Sequence, residues 1–337
     1  MKRLLLVSVF ALLVILPIKA WAQWETGFVD TTGTVGKKCA IAVDGTGNPH
    51  ISYRDGTIGW RLKYAQWDGS EWQIAFVETT ESVYGVTSIA LDGAGNPHIA
   101  FEKGFWYGAQ LWHAWWDGST WQQEGVDSLP YNGDVGEWNS IAFDTDGYPH
   151  IAYTYYTNDG DCYLRHAYKD ASGWHHQVAD SLLGDEFQFV SMALDDNNNP
   201  HISYRDWSVY DLKYAWLEAG TLDTVWTKSY GGSQGDGASG VQIIDGGYLI
   251  VGTTRSFGAG NEDLWLIRVN EQGDTSWTNT YGGWGNDRHK GGMEKTSDGG
   301  YIIGGTTHSF SPDGTHAMWL VKLDSTGSIQ WDKSFST

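Results

Sequence analysis

The chain has 337 residues, enough for one large domain or two average ones, and it is acidic, with 21 Lys and Arg against 41 Asp and Glu. A charge of that sign repels phosphate backbones and anionic lipid surfaces, which argues against nucleic-acid and anionic-membrane partners. Only two cysteines occur, Cys39 and Cys162. Because they lie in different sequence repeats, we expect two buried free thiols rather than a disulfide.

The first predicted element is a secretory signal peptide over residues 1–22. Met1-Lys2-Arg3 is basic, residues 4–18 are apolar, and Ala20-Trp21-Ala22 fits a small-x-small cleavage site. Cleavage after Ala22 removes Lys2, Arg3 and Lys19 and leaves 18 basic against 41 acidic residues, a net charge of −23. No later run is long enough for a membrane helix. We therefore expect a protein that is secreted, periplasmic or at the cell surface.

The rest of the chain repeats about every 50 residues. The phrase Asn/Tyr-Pro-His-Ile places histidines His50, His98, His150 and His201 at intervals of 48, 52 and 51 residues. Tryptophans recur every 48 to 54 residues, at Trp24, Trp72, Trp121, Trp174, Trp226, Trp277 and Trp331. Each repeat contains four short apolar runs separated by turn residues. This pattern predicts an all-β fold, a β-propeller in which each repeat is one four-stranded antiparallel blade.

In chain order, the repeats predict an orphan N-terminal strand over residues 23–30 and then six complete blades. In blade 1 the predicted strands lie near Cys39–Val43, His50–Arg54, Arg61–Gln66 and Trp72–Val77, and Asp44-Gly45 is expected to supply the positive-φ residue of the first hairpin. Asp92-Gly93 is expected to do the same in blade 2. The predicted propeller spans residues 23–337, with blades at 38–78, 86–127, 139–179, 189–230, 240–281 and 291–335. Six blades and one extra strand favour a seven-blade ring truncated at its C-terminus, and a six-blade ring with a spare strand is the alternative.

Two sequence motifs carry a family resemblance. The Asp-Gly-Ser-x-Trp turns at 68–72 and 117–121 are similar to Asp-boxes, although Gln66 and Trp115 stand where the fuller box has Ser or Thr. After Gly220 the repeats change to Trp-x-x-x-Tyr-Gly-Gly at 226–232 and Asp-Gly-Gly-Tyr at 245–248. Together these repeats resemble exported bacterial β-propeller repeat proteins. The resemblance covers nearly all of the mature chain and implies architecture more than activity.

Candidate binding residues lie on the loops that join strands 2 to 3 and strand 4 to the next blade, because these loops vary whereas the other hairpins are uniform. They are rich in aromatic rings and acids, which suit sugar rings and their hydroxyls. The predicted ligand-binding residues are Arg54, Asp55, Trp60, Glu102, Trp106, Tyr107, Trp138, Tyr155, Arg205, Asp206, Trp207, Arg255 and Trp284.

No metal site or other cofactor is predicted. The repeated histidines lie one per blade, too far apart to share an ion, so we expect each to form a structural hydrogen bond. The Asp195-Asp-Asn-Asn-Asn run has some features of a calcium loop but lacks the length and the terminal Glu. Calcium stays a minor possibility.

The sequence therefore predicts a non-catalytic binding propeller whose partner is a glycan or another extracellular polymer, with no oligomeric state indicated. One alternative is a sialidase-like or other glycan-cleaving enzyme. The sialidase comparison implies arginines that bind a carboxylate, and Arg54, Arg205 and Arg255 occupy corresponding strand ends. A second alternative is a structural repeat segment of a longer secreted protein.

Overall fold

The structure, a computed structural model, describes residues 27–57, 59–104, 108–129, 133–217, 226–311 and 314–335. The predicted signal peptide lies outside these residues, and so does the first half of the predicted strand over 23–30. No helix in the described ranges has the length and apolar character to cross a bilayer. The described chain is built from β-strands and their connections.

Twenty-four strands form six four-stranded antiparallel sheets, which confirms the prediction of six complete blades in a ring. Each blade pairs its four strands in chain order. The strands are β1 Val35–Val43, β2 Pro49–Asp55, β3 Arg61–Trp67 and β4 Trp72–Glu78 in blade 1; β5 Thr87–Leu91, β6 Pro97–Lys103, β7 Gln110–Trp116 and β8 Trp121–Asp127 in blade 2; β9 Asp134–Phe143, β10 Pro149–Tyr156, β11 Cys162–Asp170 and β12 Gly173–Leu182 in blade 3; β13 Phe187–Leu194, β14 Pro200–Asp206, β15 Asp211–Trp216 and β16 Trp226–Tyr230 in blade 4; β17 Asp236–Ile244, β18 Gly247–Thr254, β19 Asp263–Val269 and β20 Thr275–Tyr281 in blade 5; and β21 Asp287–Lys295, β22 Tyr301–Thr307, β23 Ala317–Leu323 and β24 Ile329–Phe335 in blade 6.

Consecutive blades pack through buried apolar clusters. Five clusters join blade 1 to 2, 2 to 3, 3 to 4, 4 to 5 and 5 to 6. Alternate residues of each strand point to opposite faces of the sheet, so every central blade must be apolar on both faces. Burial of these side chains is the main force that holds the ring.

A repeated polar contact reinforces three of the blade junctions. Asp127, on the outer strand of blade 2, accepts a hydrogen bond from Tyr153 Oη at 2.6 Å. It also forms an ion pair with Arg165 at 2.9 Å, and both partners belong to blade 3. Asp180 of blade 3 makes the same contacts with Tyr204 and Lys213 of blade 4. In the first junction Glu78 pairs with Lys103 of blade 2 at 2.6 Å. Each junction therefore satisfies its buried charges across the two blades.

The first hairpins of blades 1 and 2 differ in detail from the prediction. Asp44 Oδ1 accepts the backbone N–H of Thr46 at 2.9 Å and of Asn48 at 2.8 Å. The residue with positive φ is Gly47 (φ 90°), two positions after the predicted Gly45. In blade 2 it is likewise Gly95 and not Gly93. The reason is that the loop between strands 1 and 2 has five residues, so its positive-φ position falls later in the loop than in a two-residue hairpin.

The repeated histidines hydrogen-bond within their own blades, as expected. His50 Nδ1 lies 2.5 Å from Tyr64 Oη, and His150 Nδ1 lies 3.0 Å from His166 Nε2. The other ring nitrogen of His50 faces Asp44 of the first hairpin at 3.7 Å. Burial is the main cause that lowers the pKa of each repeated histidine, to about 4 for His98 and His201. These rings therefore link strands 2 and 3 to the first hairpin.

The cysteine prediction is half right. Both thiols are free, and Cys162 is buried between blades 3 and 4, where burial raises its pKa to about 12. Cys39 is exposed rather than buried. It lies on β1, which begins at Val35, four residues before the predicted start, and it lines the cavity at the centre of the ring.

Candidate functional site

A cavity of about 660 Å³ lies where the first strands of all six blades converge. Each blade contributes at least one pair of consecutive residues at or next to the inner part of its first strand. These pairs are Lys38-Cys39, Val86-Thr87, Trp138-Asn139, Phe189-Val190, Ala238-Ser239 and Arg288-His289. Arg205, Thr253, Arg255 and Glu262 complete the wall from neighbouring strands and loops. The ring therefore builds one shared site from a repeated strand position.

The first strands point into the cavity because they carry irregular backbone there. The pairing of β1 with β2 shifts register between Lys37 and Ala40, and Lys38 has φ of 52°. In blade 4 the same irregularity falls between Gln188 and Ser191, and Phe189 has φ of 55°. A bulge of this kind turns a side chain away from the regular alternation of the strand. It turns Lys38 and Phe189 toward the centre of the ring.

The cavity concentrates positive charge in an acidic chain. Its wall holds Lys38, Arg205, Arg255 and Arg288 but only two carboxylates, Glu262 and Asp236. Asp236 is buried and accepts hydrogen bonds from Thr254 Oγ1, from Ser256 Oγ at 2.7 Å and from the Gly232 N–H at 2.9 Å. Its carboxylate is therefore engaged in hydrogen bonds around blade 5 rather than in an ion pair with an arginine, although its charge partly offsets the burial that lowers the pKa of Arg205.

Glu262 is shared between two arginines. Arg255 donates from Nε at 2.9 Å and from Nη2 at 2.6 Å to Oε1, and Arg288 Nε donates to Oε2. Arg255 therefore binds one oxygen of a largely buried carboxylate through two donors. The Glu262 carboxylate thus holds two guanidinium groups in fixed positions, and these three side chains together have a net charge of +1.

Arg205 has no carboxylate partner among the residues that the structure describes. Its guanidinium lies 4.4 Å from the ring centre of Trp207 and 5.3 Å from that of Tyr210, and its Nε is buried without a hydrogen-bond acceptor. Burial lowers the pKa of Arg205, and the neighbouring Arg255 lowers it further. Arginine nevertheless stays protonated in proteins. A partly buried cation held on aromatic rings without a counter-ion favours an anionic ligand.

Aromatic rings from blades 3 and 4 form another part of the cavity wall. Trp138 and Phe189 stand with ring centres 4.6 Å apart, and the Lys38 ammonium lies 4.8 Å from the Trp138 ring. This side offers a flat apolar surface beside a cation, and such a surface suits the C–H face of a sugar ring.

Next to this aromatic side, blades 2 and 3 bury a group of carboxyls. Glu102 is buried on β6, and its pKa is raised, first by burial and then by the charges of Asp134 and Glu137. Burial likewise raises the pKa of Asp134 and of Glu137. Arg54 partly offsets the shift of Glu102. Glu102 does not line the cavity wall.

The structure brings together three of the predicted site residues in the cavity, Trp138, Arg205 and Arg255, with Trp207 stacked behind Arg205. Arg54 instead donates to the Tyr84 carbonyl and lies 4.7 Å from the Trp60 ring centre. Trp284 stands apart, with its side chain 90% exposed. Trp106 and Tyr107 lie outside the described residues.

The remaining predicted residues make contacts within the scaffold. Asp55 pairs with Lys63 at 2.9 Å, and Asp206 caps its own loop through Ser208 and faces Lys213 at 3.6 Å. The Arg165 guanidinium lies over the Tyr155 ring, 3.6 Å from its centre. Both Asp55 and Asp206 end a second strand, where their side chains turn into a blade junction rather than into the cavity.

Sequence reasoning missed Lys38, Arg288, His289 and Phe189, because it searched the loops and treated first strands as scaffold. The signal was present in the repeat. When blades 1 to 4 are aligned on Asn/Tyr-Pro-His-Ile, Ile41, Ile89, Ile141 and Met192 fall at one position of the first strand. The residues three and two places before that position vary between blades, as in Lys38-Cys39 of blade 1 and Trp138-Asn139 of blade 3. A variable pair inside a uniform strand is the pattern of a binding position.

In the described ranges, no three His, Cys, Asp or Glu side chains are grouped as a metal site would need. The Asp195 run makes a hairpin, in which Oδ1 accepts the N–H of Asn197 and of Asn199, each at 2.8 Å.

The fold is similar to those of several solved propellers at low sequence identity. A Hadza microbial sialidase, Hz136, matches with a TM-score of 0.53 and 12% identity over 88% of this chain. The polysaccharide lyase Uly1 matches with a TM-score of 0.54 and 11% identity over 85% of this chain and 77% of the lyase. An Aleuria aurantia lectin variant in complex with α-methyl-L-fucoside matches with a TM-score of 0.50 and 12% identity over 88% of this chain and 96% of the lectin.

The chain spans only 64% of the length of the sialidase. No protein-family model and no curated protein matches the sequence. At this identity the likeness shows a propeller fold that lectins and glycan-cleaving enzymes both use.

Proposed function

We propose that this chain is an exported, non-catalytic propeller that binds an acidic saccharide in the central cavity. The observation that carries the proposal is Arg205, a partly buried guanidinium with no carboxylate partner among the described residues, in a cavity wall with four cations and two carboxylates. A ligand carboxylate or sulfate would supply the missing charge, and such charge-assisted hydrogen bonds are about twice as strong as neutral ones.

The aromatic side supports a saccharide rather than a small inorganic anion. A sugar ring that stacks on Trp138 can direct an acidic substituent toward Arg205 or Arg288, which line the same cavity. The volume of about 660 Å³ lies within the usual size of small-molecule sites and holds a few sugar units.

The test pairs each acidic saccharide with its neutral parent. Trigalacturonate against its methyl ester, and sialyllactose against lactose, are titrated calorimetrically into the protein. We expect an acidic member to bind at least tenfold more tightly than its neutral parent. Arg205→Gln should remove most of that difference, because it deletes the charge but keeps a polar side chain.

Arg268→Gln is the matched control, since Arg268 lies at the other end of blade 5 and donates to the Asp245 carbonyl. It should leave binding unchanged. Equal affinity for an acidic saccharide and its neutral parent, or full binding by a folded Arg205→Gln protein, would contradict the proposal.

The second candidate, glycan cleavage, is favoured by the three arginines that share the cavity. The same saccharides, incubated with the protein and assayed for new reducing ends, separate the two functions. Both cavity carboxylates are already held by hydrogen bonds, so we expect binding without release of product.

A further inference from the structure

One face of blade 1 exposes an apolar residue whose counterparts in blades 3 and 4 are buried. Ile41 is 60% exposed, whereas Ile141 and Met192, at the same position of β9 and β13, are each 7% exposed. The register is the same in the three blades, because these residues pair with Ile51, Ile151 and Ile202. In blade 3 this face packs on the preceding blade through a buried cluster. We call Ile41, Val43, Ile74 and Phe76, all exposed, the open face of blade 1.

Blade 6 has the complementary feature on its opposite face. Met318 is 59% exposed, whereas Leu264, at the same position of blade 5, is fully buried against blade 6. Both residues precede a buried tryptophan and pair with a threonine of the second strand. Among the described residues, no buried apolar cluster joins blade 6 to blade 1. Two blade faces that elsewhere meet a neighbour are therefore both uncovered.

Asp30 occupies, next to blade 1, the place that the last residues of a fourth strand occupy next to blades 3 and 4. It is nearly buried and accepts hydrogen bonds from Tyr53 Oη at 2.9 Å and from Lys63 Nζ at 3.0 Å. Asp127 and Asp180 make these same contacts from the fourth strand of the preceding blade. The chain at Asp30 thus enters blade 1 from the place where a fourth strand ends.

We propose that the open face of blade 1 is the docking surface for one further four-stranded blade of this chain's own repeat type, whose fourth strand leads into Asp30. This occupant would cover the open face of blade 1 with one side and Met318 of blade 6 with the other. Blade 6 covers Leu264 with its face of Ile303, Trp319 and Val321, so a repeat of the same type presents a matching surface to Met318.

The test supplies three further strands of this repeat type. A copy of residues 287–323 is joined after Thr337, and thermal unfolding and dye binding are compared with those of the original chain. We expect the melting temperature to rise by about 5 °C or more, since burial of several apolar side chains adds stability. Fluorescence of a dye that binds exposed apolar surface should fall several-fold.

Ile41→Asp is the diagnostic variant. In the original chain it should change the melting temperature by less than about 2 °C, because Ile41 is exposed. In the extended chain it should abolish the gain, because the charge would then be buried. Ile141→Asp should lower the melting temperature strongly in both chains, which shows that the assay detects a buried charge.

Two results would overturn the proposal. One is an extended chain no more stable than the original, with the added segment digested by protease. The other is an original chain that light scattering shows to be a dimer and that Ile41→Asp converts to a monomer, since the occupant would then be a second copy.

Discussion

At the scale of single residues, burial decides which charges serve the scaffold and which remain for a ligand. Asp55, Asp127 and Asp180 are acids whose charge is used across a blade or a blade junction. Arg205 differs because its partners are rings and not carboxylates. A buried charge without a partner is unfavourable, and it is tolerated where binding compensates for it.

Glu102 is the residue whose burial should be visible in solution. A carboxyl whose pKa is higher in the folded than in the unfolded chain holds a proton that the unfolded chain has already lost. Unfolding therefore becomes easier as the pH rises above the ordinary value of 4.5 toward the raised pKa. We expect Glu102→Gln to raise the free energy of unfolding by about 1–3 kcal/mol at pH 8, the range for a buried polar group without full compensation.

At pH 4, where Glu102 is protonated in both states, the same substitution should have little effect. Urea unfolding at the two pH values measures the difference. Glu81→Gln is the control, because Glu81 is exposed, and it should not change the pH dependence. An equal effect of Glu102→Gln at both pH values would show that the pKa of this carboxyl is not raised on folding.

Part of the site could be read from the sequence. Arg205 and Arg255 follow from their position at the end of a second strand, and Trp138 from its place among loop aromatics. Lys38 and Phe189 could not be placed in this way, because only a positive-φ bulge turns them toward the centre of the ring. Asp206, next to Arg205 in sequence, turns into the scaffold instead, since neighbouring residues at a strand end face opposite sides.

At the scale of elements, the strands were predictable because alternation and turn chemistry agree. β16 begins and ends as predicted, at Trp226 and Tyr230, and β2 extends one residue beyond each predicted end. The first strands were predicted too short, as β1 shows, because their inner ends carry polar and small residues that face a cavity. The hairpin glycine was misplaced for a different reason, since the Asp-Gly dipeptide suggested a shorter turn than the one that forms.

Two glycines of the first hairpin test that correction. Gly47 has φ of 90°, where a Cβ is strained, whereas Gly45 has open space around its Cα and no positive φ. We expect Gly47→Ala to lower the free energy of unfolding by about 1–2 kcal/mol. Gly45→Ala should be neutral or slightly stabilising, because it reduces the entropy of the unfolded chain. Chemical denaturation of both variants measures the two free energies of unfolding. A larger loss of stability in Gly45→Ala than in Gly47→Ala would favour the two-residue hairpin that the sequence predicted.

At the scale of the whole molecule, a ring of similar blades behaves as a linear array wherever a neighbour is missing. An internal blade is held by two interfaces, and a blade with one open face is held by one. Local opening of blade 1 should therefore require less free energy than opening of blade 3, although the two have the same strand pairing.

Hydrogen exchange measured by mass spectrometry tests this gradient. We expect the paired amides of β1 to exchange about tenfold faster than those of β9, which fills the same place in blade 3, because opening β1 breaks contacts on one side only. Comparing the same strand in two blades holds hydrogen bonding and distance from the ring centre nearly constant. Equal protection of β1 and β9 would mean that the open face of blade 1 is already covered in solution, and the difference in burial between Ile41 and Ile141 would then have another origin.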